Sequence, residues 1–277
     1  VIRDMTPEDI PSGIRLCRAS GWNQTEADWA MLLGTGTFRA AVMEDEVVGT
    51  GGVVRYGYRL GWVAMILVDP AVRGKGIGTS IMADLLESTS GLVSVGLDAT
   101  PLGRPVYERL GFRGHGELVR MEAAPSRNRP PRPSDVRPLA GRDLEEVLRW
   151  DLETFGADRS RVLRWAAEHA PEYAWCAGED AAIDGYCFGR HGSRADQVGP
   201  VVARHSSVAE RLLAACLAPY PDRRYFLDTP ANVGEWLSSV QRAGFVTQRP
   251  FTRMFRKGDR IPAQTELHYA ILGPEFG

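Results

Sequence analysis

Val68-Asp69-Pro70-Ala71-Val72-Arg73-Gly74-Lys75-Gly76-Ile77-Gly78-Thr79-Ser80 is the stretch whose reading decides the fold. Before it, Trp62 to Val68 is an unbroken apolar run, the pattern of a central strand. After it, Ile77 to Glu87 reads as a helix with Ile81, Met82, Leu85 and Leu86 on its inner face. A glycine-rich turn at a helix start exposes N–H groups at the positive end of the helix dipole, and glycine lets backbone approach a ligand closely. Such a turn suits a diphosphate. The spacing is not that of GxxxxGK(S/T), and GxGxxG would need glycine where Thr79 stands. What remains is Arg-x-x-Gly-x-Gly, at Arg73, Gly76 and Gly78. A turn with a purely structural role has the same spacing and stays open at this point.

Outward from this turn, Val93 to Leu97 reads as the next strand and Pro105-Val106-Tyr107-Glu108-Arg109-Leu110 as a short helix, followed by Gly111-Phe112. Upstream, Thr6 caps a helix opening with Pro7, and Thr25-Glu26-Ala27-Asp28 begins a second helix. The order then repeats. Val1-Ile2-Arg3-Asp4-Met5 with Asp9-Ile10 parallels Asp135-Val136-Arg137-Pro138-Leu139 with Asp143-Leu144. The hairpin Ala40-Ala41-Val42-Met43 to Val47-Val48-Gly49 parallels Tyr173-Ala174-Trp175-Cys176 to Ile183-Asp184-Gly185, the latter turning at Gly178-Glu179-Asp180. Leu97-Asp98-Ala99-Thr100 with Leu110-Gly111-Phe112 parallels Leu227-Asp228-Thr229-Pro230 with Ala243-Gly244-Phe245. Three matches in one order predict a duplicated unit of interleaved strands and helices.

On Arg73-x-x-Gly76-x-Gly78 and Pro105-Val106-Tyr107-Glu108-Arg109-Leu110-Gly111-Phe112, the chain resembles the GNAT superfamily of N-acetyltransferases, and its repeated order is similar to the YitH-like tandem arrangement. The resemblance implies an α/β fold of two GNAT-like domains, each a mixed, mostly antiparallel sheet flanked by helices. It places a catalytic domain at 1–122, a linker at 123–134 and a degenerate domain at 135–277. It implies acetyl-CoA, held by Ile66, Leu67 and Val68 of the central strand, by Arg73, Gly74, Lys75, Gly76, Ile77, Gly78 and Thr79, and by Thr100, where many relatives carry asparagine. Tyr107 takes the role of protonating the departing thiolate; an aromatic packing its short helix is the other reading. A backbone N–H within Met65 to Leu67 would serve the oxyanion. Many relatives place a glutamate base on the central strand, whereas Val63-Ala64-Met65-Ile66-Leu67-Val68 carries no acid. Glu26 and Asp28, on the early helix beside the acceptor, are the candidates for proton removal; both read equally as helix-start acids. Trp22, Asn23 and Gln24 offer an aromatic wall and amide hydrogen bonds to an acceptor, or form an ordinary turn.

The second half departs from the pattern at the loop. Arg204-His205-Ser206-Ser207-Val208 contains no glycine, and Trp236-Leu237-Ser238-Ser239-Val240-Gln241-Arg242 has no tyrosine to match Tyr107. Side chains there would obstruct close backbone approach. This half is expected to shape the acceptor pocket or the interface between the halves.

Composition sets the outer bounds. Of 277 residues, 33 are Lys or Arg and 35 are Asp or Glu, so the net charge of −2 argues against a general polyanion binder. No apolar run approaches the roughly 20 residues of a membrane-spanning helix. Val1-Ile2-Arg3-Asp4 lacks a signal-peptide pattern, and the expected location is the cytoplasm. Cys17, Cys176, Cys187 and Cys216 form no CxxC and read as buried thiols. His115, His169, His191, His205 and His268 are too scattered for ligand spacing, so no metal is expected. The run Ala123 to Ser134, with four prolines and three arginines, reads as an extended, solvated linker. The apolar end, Glu266 to Gly277, is expected to pack as a strand of the second sheet, with His268 a packed residue or one reaching the acceptor.

The expectation is therefore an acetyl-CoA-dependent transferase acting on a primary amine of a small molecule, as a monomer with pseudo-dimeric domains. A non-catalytic acyl-CoA sensor or scaffold is the alternative from another class, and acetylation of a protein substrate is a third.

Overall fold

The computed structural model describes residues 1–178, 182–256 and 263–277. The first half runs β1 (Ile2–Asp4), α1 (Ile10–Ala19), α2 (Glu26–Thr35), β2 (Gly36–Met43), β3 (Glu46–Tyr56), β4 (Leu60–Val68), α3 (Ile77–Glu87), β5 (Ser94–Ala99), α4 (Arg104–Arg109) and β6 (Arg113–Ala123). The second runs β7 (Val136–Pro138), α5 (Gly141–Phe155), α6 (Ser160–His169), β8 (Trp175–Ala177), β9 (Gly185–Arg190), β10 (Asp196–Ala203), α7 (Ser206–Leu217), β11 (Tyr225–Pro230), α8 (Gly234–Arg242), β12 (Phe245–Arg256) and β13 (His268–Ala270).

Local chemistry explains the elements. The β2–β3 hairpin turns on Glu44 and Asp45, both in the left-handed region (φ 49° and 63°) as a tight two-residue turn requires. At the start of α2 the Thr25 hydroxyl accepts from the Asp28 N–H while the Asp28 carboxylate accepts from the Thr25 N–H at 2.6 Å, a reciprocal cap. A Cβ on Gly51 would lie 2.4 Å from Ile66 and 2.7 Å from Ile81, so glycine there lets α3 press onto the sheet.

The duplication is physical as well as sequential. Arg3 pairs through both its terminal nitrogens with Asp9, and Arg137 does the same with Asp143. Both aspartates also accept a backbone N–H three residues upstream, from Thr6 and Ala140. The expected hairpin of β8 and β9 forms, although its turn residues Glu179 and Asp180 lie outside the described residues.

Rather than two separate sheets, the halves share one sheet of 13 strands, ordered β1-β2-β3-β4-β5-β12-β6-β11-β10-β9-β8-β7, with β13 pairing β10 off this path. Neighbours are antiparallel except β4–β5 and β10–β11. The last long strand of each half has crossed over: β12 lies against β5 of the first half, and β6 lies against β11 of the second. Two ion pairs stitch the exchange. Arg120 of β6 donates twice to Asp228 of β11, both at 2.7 Å, and Arg253 of β12 donates twice to Asp98 of β5, at 2.9 and 2.8 Å.

Two expectations need correction. The segment after Ala123 lacks regular structure but is not simply solvated. Arg129 donates to the carbonyls of Ala124, Ala243 and Arg223 and lies over Tyr225, and Arg132 stacks on Trp175, so linker arginines dock on the second half. At the other end, His268 to Ala270 form the strand, but the chain beyond it also reaches the first half. Trp62 Nε1 donates to Pro274 O and Tyr56 Oη to Phe276 O, seating these residues against the first half, while Arg159 of the second half donates to Gly277 O. All four cysteines are buried thiols. Among the described residues no helix is long and apolar enough to cross a membrane.

Candidate active site

Strands β4 and β5 run parallel and pair only over Leu60–Trp62 with Ser94–Gly96, then separate. On its other edge β4 carries a bulge: Thr50 faces Leu67 and Gly52 faces Ala64, so Met65 and Ile66 together oppose Gly51. Met65 adopts φ 57°, a strained conformation for a side-chain-bearing residue, and its carbonyl accepts from Thr50 Oγ1 at 3.0 Å. A bulge takes a backbone unit out of the ladder and re-aims its neighbours. The separation opens a cavity of about 850 Å³. One wall is Val63 to Val68. The mouth is formed by Arg73, Gly74, Gly76, Ile77, Gly78 and Thr79, and the opposite wall by Leu97, Asp98 and Thr100 with Val106 and Tyr107 of α4.

At the mouth, Gly74 and Gly76 both take φ 80°, with open space where a Cβ would stand. Gly76 caps α3 without a side-chain bond, and among the described residues no acceptor takes the N–H groups of Gly74 through Thr79. A row of free amides at the start of an 11-residue helix could hold a diphosphate. Arg73 sits beside them, its guanidinium tied to neutral oxygens, Val68 O at 3.0 Å and Ser20 Oγ at 3.2 Å, with no direct carboxylate partner among the described residues. Lys75 is exposed and does not line the cavity. Thr100 lines it while its hydroxyl accepts the Gly103 N–H.

Tyr107 is on the cavity wall, held edge-on to Phe112, with Gly103 close against its ring because a Cβ there would lie 2.9 Å away. Its hydroxyl makes no hydrogen bond among the described residues, and burial pushes its pKa above the usual phenol value. It is thus a protonated donor at neutral pH.

The acceptor-side expectations fare differently. Trp22 and Gln24 line the cavity. Asn23 does not: fully buried, it bonds Ala195 O and the N–H groups of Arg194 and Ala195, clasping the second half to the first. Glu26 is exposed and off the cavity. Asp28 is also off it, fully buried in the cap of α2 and bonded to Arg190 at 3.1 Å. Burial raises its pKa, and the nearby charge of Glu275 adds to this, against the pull of Arg190. Neither acid is placed to serve an amine in this cavity.

Glu275 stands there instead. It is 3% exposed and lines the cavity. Its Oε1 accepts from Gln24 Nε2 at 2.9 Å and from Arg190 at 2.5 Å, while Oε2 has no partner among the described residues. Asp98 also lines the cavity, but both its oxygens are bonded to Arg253, and burial raises its pKa. Arg120, Arg249 and Phe251, from the exchanged strands, complete the inner end. Sequence reading missed Glu275 and Arg249. Their only local signal is a charge set in an apolar context, Leu272-Gly273-Pro274-Glu275-Phe276 and Arg249-Pro250-Phe251.

The second half repeats the frame and closes it. Strands β10 and β11 pair only over Asp196–Val198 with Tyr225–Leu227, and the register slips between Val198 and Val201, so Gly199 and Pro200 occupy the bulge. Here the gap is filled by the chain itself: β13 pairs β10, and Ile271 bridges to Asp228 of β11. His268 belongs to this plug and does not line the cavity.

Comparison with known proteins agrees with this geometry. A family profile described as acetyltransferase (GNAT) domain matches residues 4–124, and a second of the same description matches residues 147–270. The uncharacterized N-acetyltransferase YitH of Bacillus subtilis is 24% identical over 98% of this chain and 96% of its own length. Holothin acyltransferase of a Pseudoalteromonas species is 24% identical over 87% of this chain and 81% of its own. The solved structure of a candidate acetyltransferase from Pyrococcus horikoshii superposes with a TM-score of 0.84 over 100% of this chain and 95% of its own, at 24% identity.

Proposed function

The chain belongs to the GNAT acetyltransferases, as two such domains in tandem, and from that premise we propose that it transfers an acetyl group from acetyl-CoA to the primary amine of a small molecule in the cavity between β4 and β5. The observation that carries this reading is the contrast between twin gaps: one open and rimmed by free amides, the other plugged by β13. On this reading residues 1–122 hold the cofactor, 123–134 connect, and 135–277 supply no second catalytic centre.

The N–H groups of Gly74 to Thr79 and the charge of Arg73 hold the diphosphate, with Ile66, Leu67, Val68 and Thr100 along the pantetheine. Bound there, acetyl-CoA supplies the acetyl group as a thioester. A backbone N–H released at the Met65–Leu67 bulge stabilises charge on the carbonyl oxygen, a contribution of about 3–4 kcal/mol in comparable sites. Free alkylammonium groups have a pKa near 10 and are mostly protonated at pH 7, so the acceptor must lose a proton. Glu275 Oε2 is the acceptor of that proton, fixed in place by Gln24 and Arg190. Tyr107 delivers a proton to the sulfur.

A sensor that binds acyl-CoA without turnover drew its support from the absence of an acid on β4; Glu275 removes that support by bringing a carboxylate from the far end of the chain. The test is release of CoA thiol from acetyl-CoA on addition of amines. Amine-dependent release supports transfer, and acetyl-CoA binding without release under any amine returns the sensor.

A further inference from the structure

The charges lining the cavity are not all paired directly. Arg120 is matched by Asp228 and Arg253 by Asp98. At one side of what remains, two carboxylates, Asp28 and Glu275, share one guanidinium, that of Arg190. At the other side Arg249 has no hydrogen bond or ion pair among the described residues, and its Nε is buried without a partner. Neither Glu275 Oε2 nor the Arg249 guanidinium has a direct hydrogen-bond or ion-pair partner among the described residues, and each feels the other's charge only at longer range.

Arg249 is aimed there by the backbone. The β12–β6 register slips between Thr247 and Arg249, leaving Gln248 as an extra residue, so Arg249 faces Arg120 across the strands. Like charges directly opposite on neighbouring strands destabilise a sheet. Arg120 is already engaged by Asp228, and both guanidinium groups lie over the Phe251 ring, at 5.5 and 4.9 Å, which offsets only part of the cost. Burial, with Arg120 adding to it and Asp228 and Glu275 pulling the other way, lowers the Arg249 pKa to about 10, so the group is still charged at neutral pH. An unpaired cation in a cavity wall calls for an anion from the ligand.

We infer that the acceptor is itself a zwitterion, a primary amine carrying a carboxylate: the carboxylate pairs with Arg249 while the ammonium enters beside Glu275. The inference rests on the acetyl-transfer reading for its amine and on Arg249 for its carboxylate. A single free guanidinium matches a monoanion, and two parallel N–H···O bonds to a carboxylate would satisfy the orphaned edge of Arg249. The arrangement selects amino acids over neutral amines.

The test uses the full chain with acetyl-CoA and the common α-amino acids, each paired with its own carboxamide, which keeps the amine and removes the anion. Glucosamine 6-phosphate serves as the phosphate-bearing arm. In the native protein at least one acid is expected to exceed its carboxamide in kcat/KM by about 10- to 100-fold, the range of a charge-assisted bond. In Arg249→Gln that ratio collapses toward one, and in Arg249→Lys it is partly restored. Without ligand, Arg249→Gln melts at or above the native temperature, because it removes a half-buried charge that has no direct partner and faces Arg120. Carboxamides matching or exceeding their acids in the native protein, a ratio unchanged in Arg249→Gln, or glucosamine 6-phosphate outrunning every amino acid each overturns the inference while leaving acetyl transfer standing. If no amine releases thiol, the transfer reading fails and calorimetry of the CoA-loaded protein with the same amino acids decides: binding lost in Arg249→Gln upholds the carboxylate site, and no binding overturns it.

Discussion

Tyr107 and Glu275 divide the proton work on this account, and each makes a distinct prediction. Tyr107→Phe removes the donor and leaves the ring packed against Phe112, so kcat should fall about 10²-fold or more while the acetyl-CoA dissociation constant stays within about twofold. Stopped-flow thiol detection with calorimetry checks both. Glu275→Gln keeps a carbonyl oxygen to accept the hydrogen bonds from Gln24 and Arg190 but removes the proton acceptor, so turnover should fall by a similar factor and recover as pH rises toward the acceptor's own pKa. A Glu275→Gln protein with native rates at pH 7 would remove Glu275 from the reaction. Tyr107 was legible because it sits in a compact motif, Pro105 to Phe112, whose neighbours fix its place. Glu275 was not, because its role depends on a carboxylate meeting Gln24 across 251 positions of chain. Glu26 and Asp28 lie on α2, no residue of which lines the cavity; a helix-start acid is drawn to its own backbone, and Asp28 caps α2 rather than facing the cavity.

At the scale of elements, the turn at 73–79 is the best-marked feature in the sequence, since strand, glycines and helix start follow one another without a break. Gly76 stands at φ 80° with nothing within 4 Å of where a Cβ would lie, so a side chain costs backbone strain of about 1–2 kcal/mol without a clash. Gly76→Glu should therefore fold, with a modest drop in melting temperature, and lose acetyl-CoA binding by more than about 100-fold through repulsion at the phosphates. The exchanged strands were less legible. Periodicity identifies β6 and β12 as strands but is silent about which sheet receives them, because each offers the same alternation to either half. Arg120 and Asp228 are 3% and 0% exposed at their side chains, so removing one partner strands the other. Arg120→Met should destabilise the protein by about 3–5 kcal/mol in urea unfolding, and Arg120→Met with Asp228→Leu by much less than the sum of the two single changes. Additive effects would contradict the pairing.

For the whole molecule, the repeat was visible in three ordered matches, yet the plug in the second gap was not, since nothing in the apolar tail says which opening it fills. One consequence of a shared sheet is that neither half completes its own. Chains cut within 125–134 should unfold in a single coupled transition, and residues 1–124 expressed alone should fail to give a cooperative melt. A second consequence concerns acid. His268, at the head of the plug, has its pKa lowered to about 4, first by burial and then by Arg159. The folded protein keeps this ring neutral, while the unfolded chain protonates it near 6.5, so its contribution is in place above about pH 6.5 and is lost as pH falls toward 4. Native protein should lose up to roughly 2–3 kcal/mol more than His268→Leu across that interval; equal slopes would show that the ring is not held neutral.

On the proposed function, one gap of the shared sheet holds acetyl-CoA and its twin does not. Titration calorimetry of the full chain measures it most directly. One acetyl-CoA per chain is expected, with that binding abolished in Gly76→Glu; two per chain, or a Gly76→Glu protein that binds as tightly as the native one, would contradict a single site.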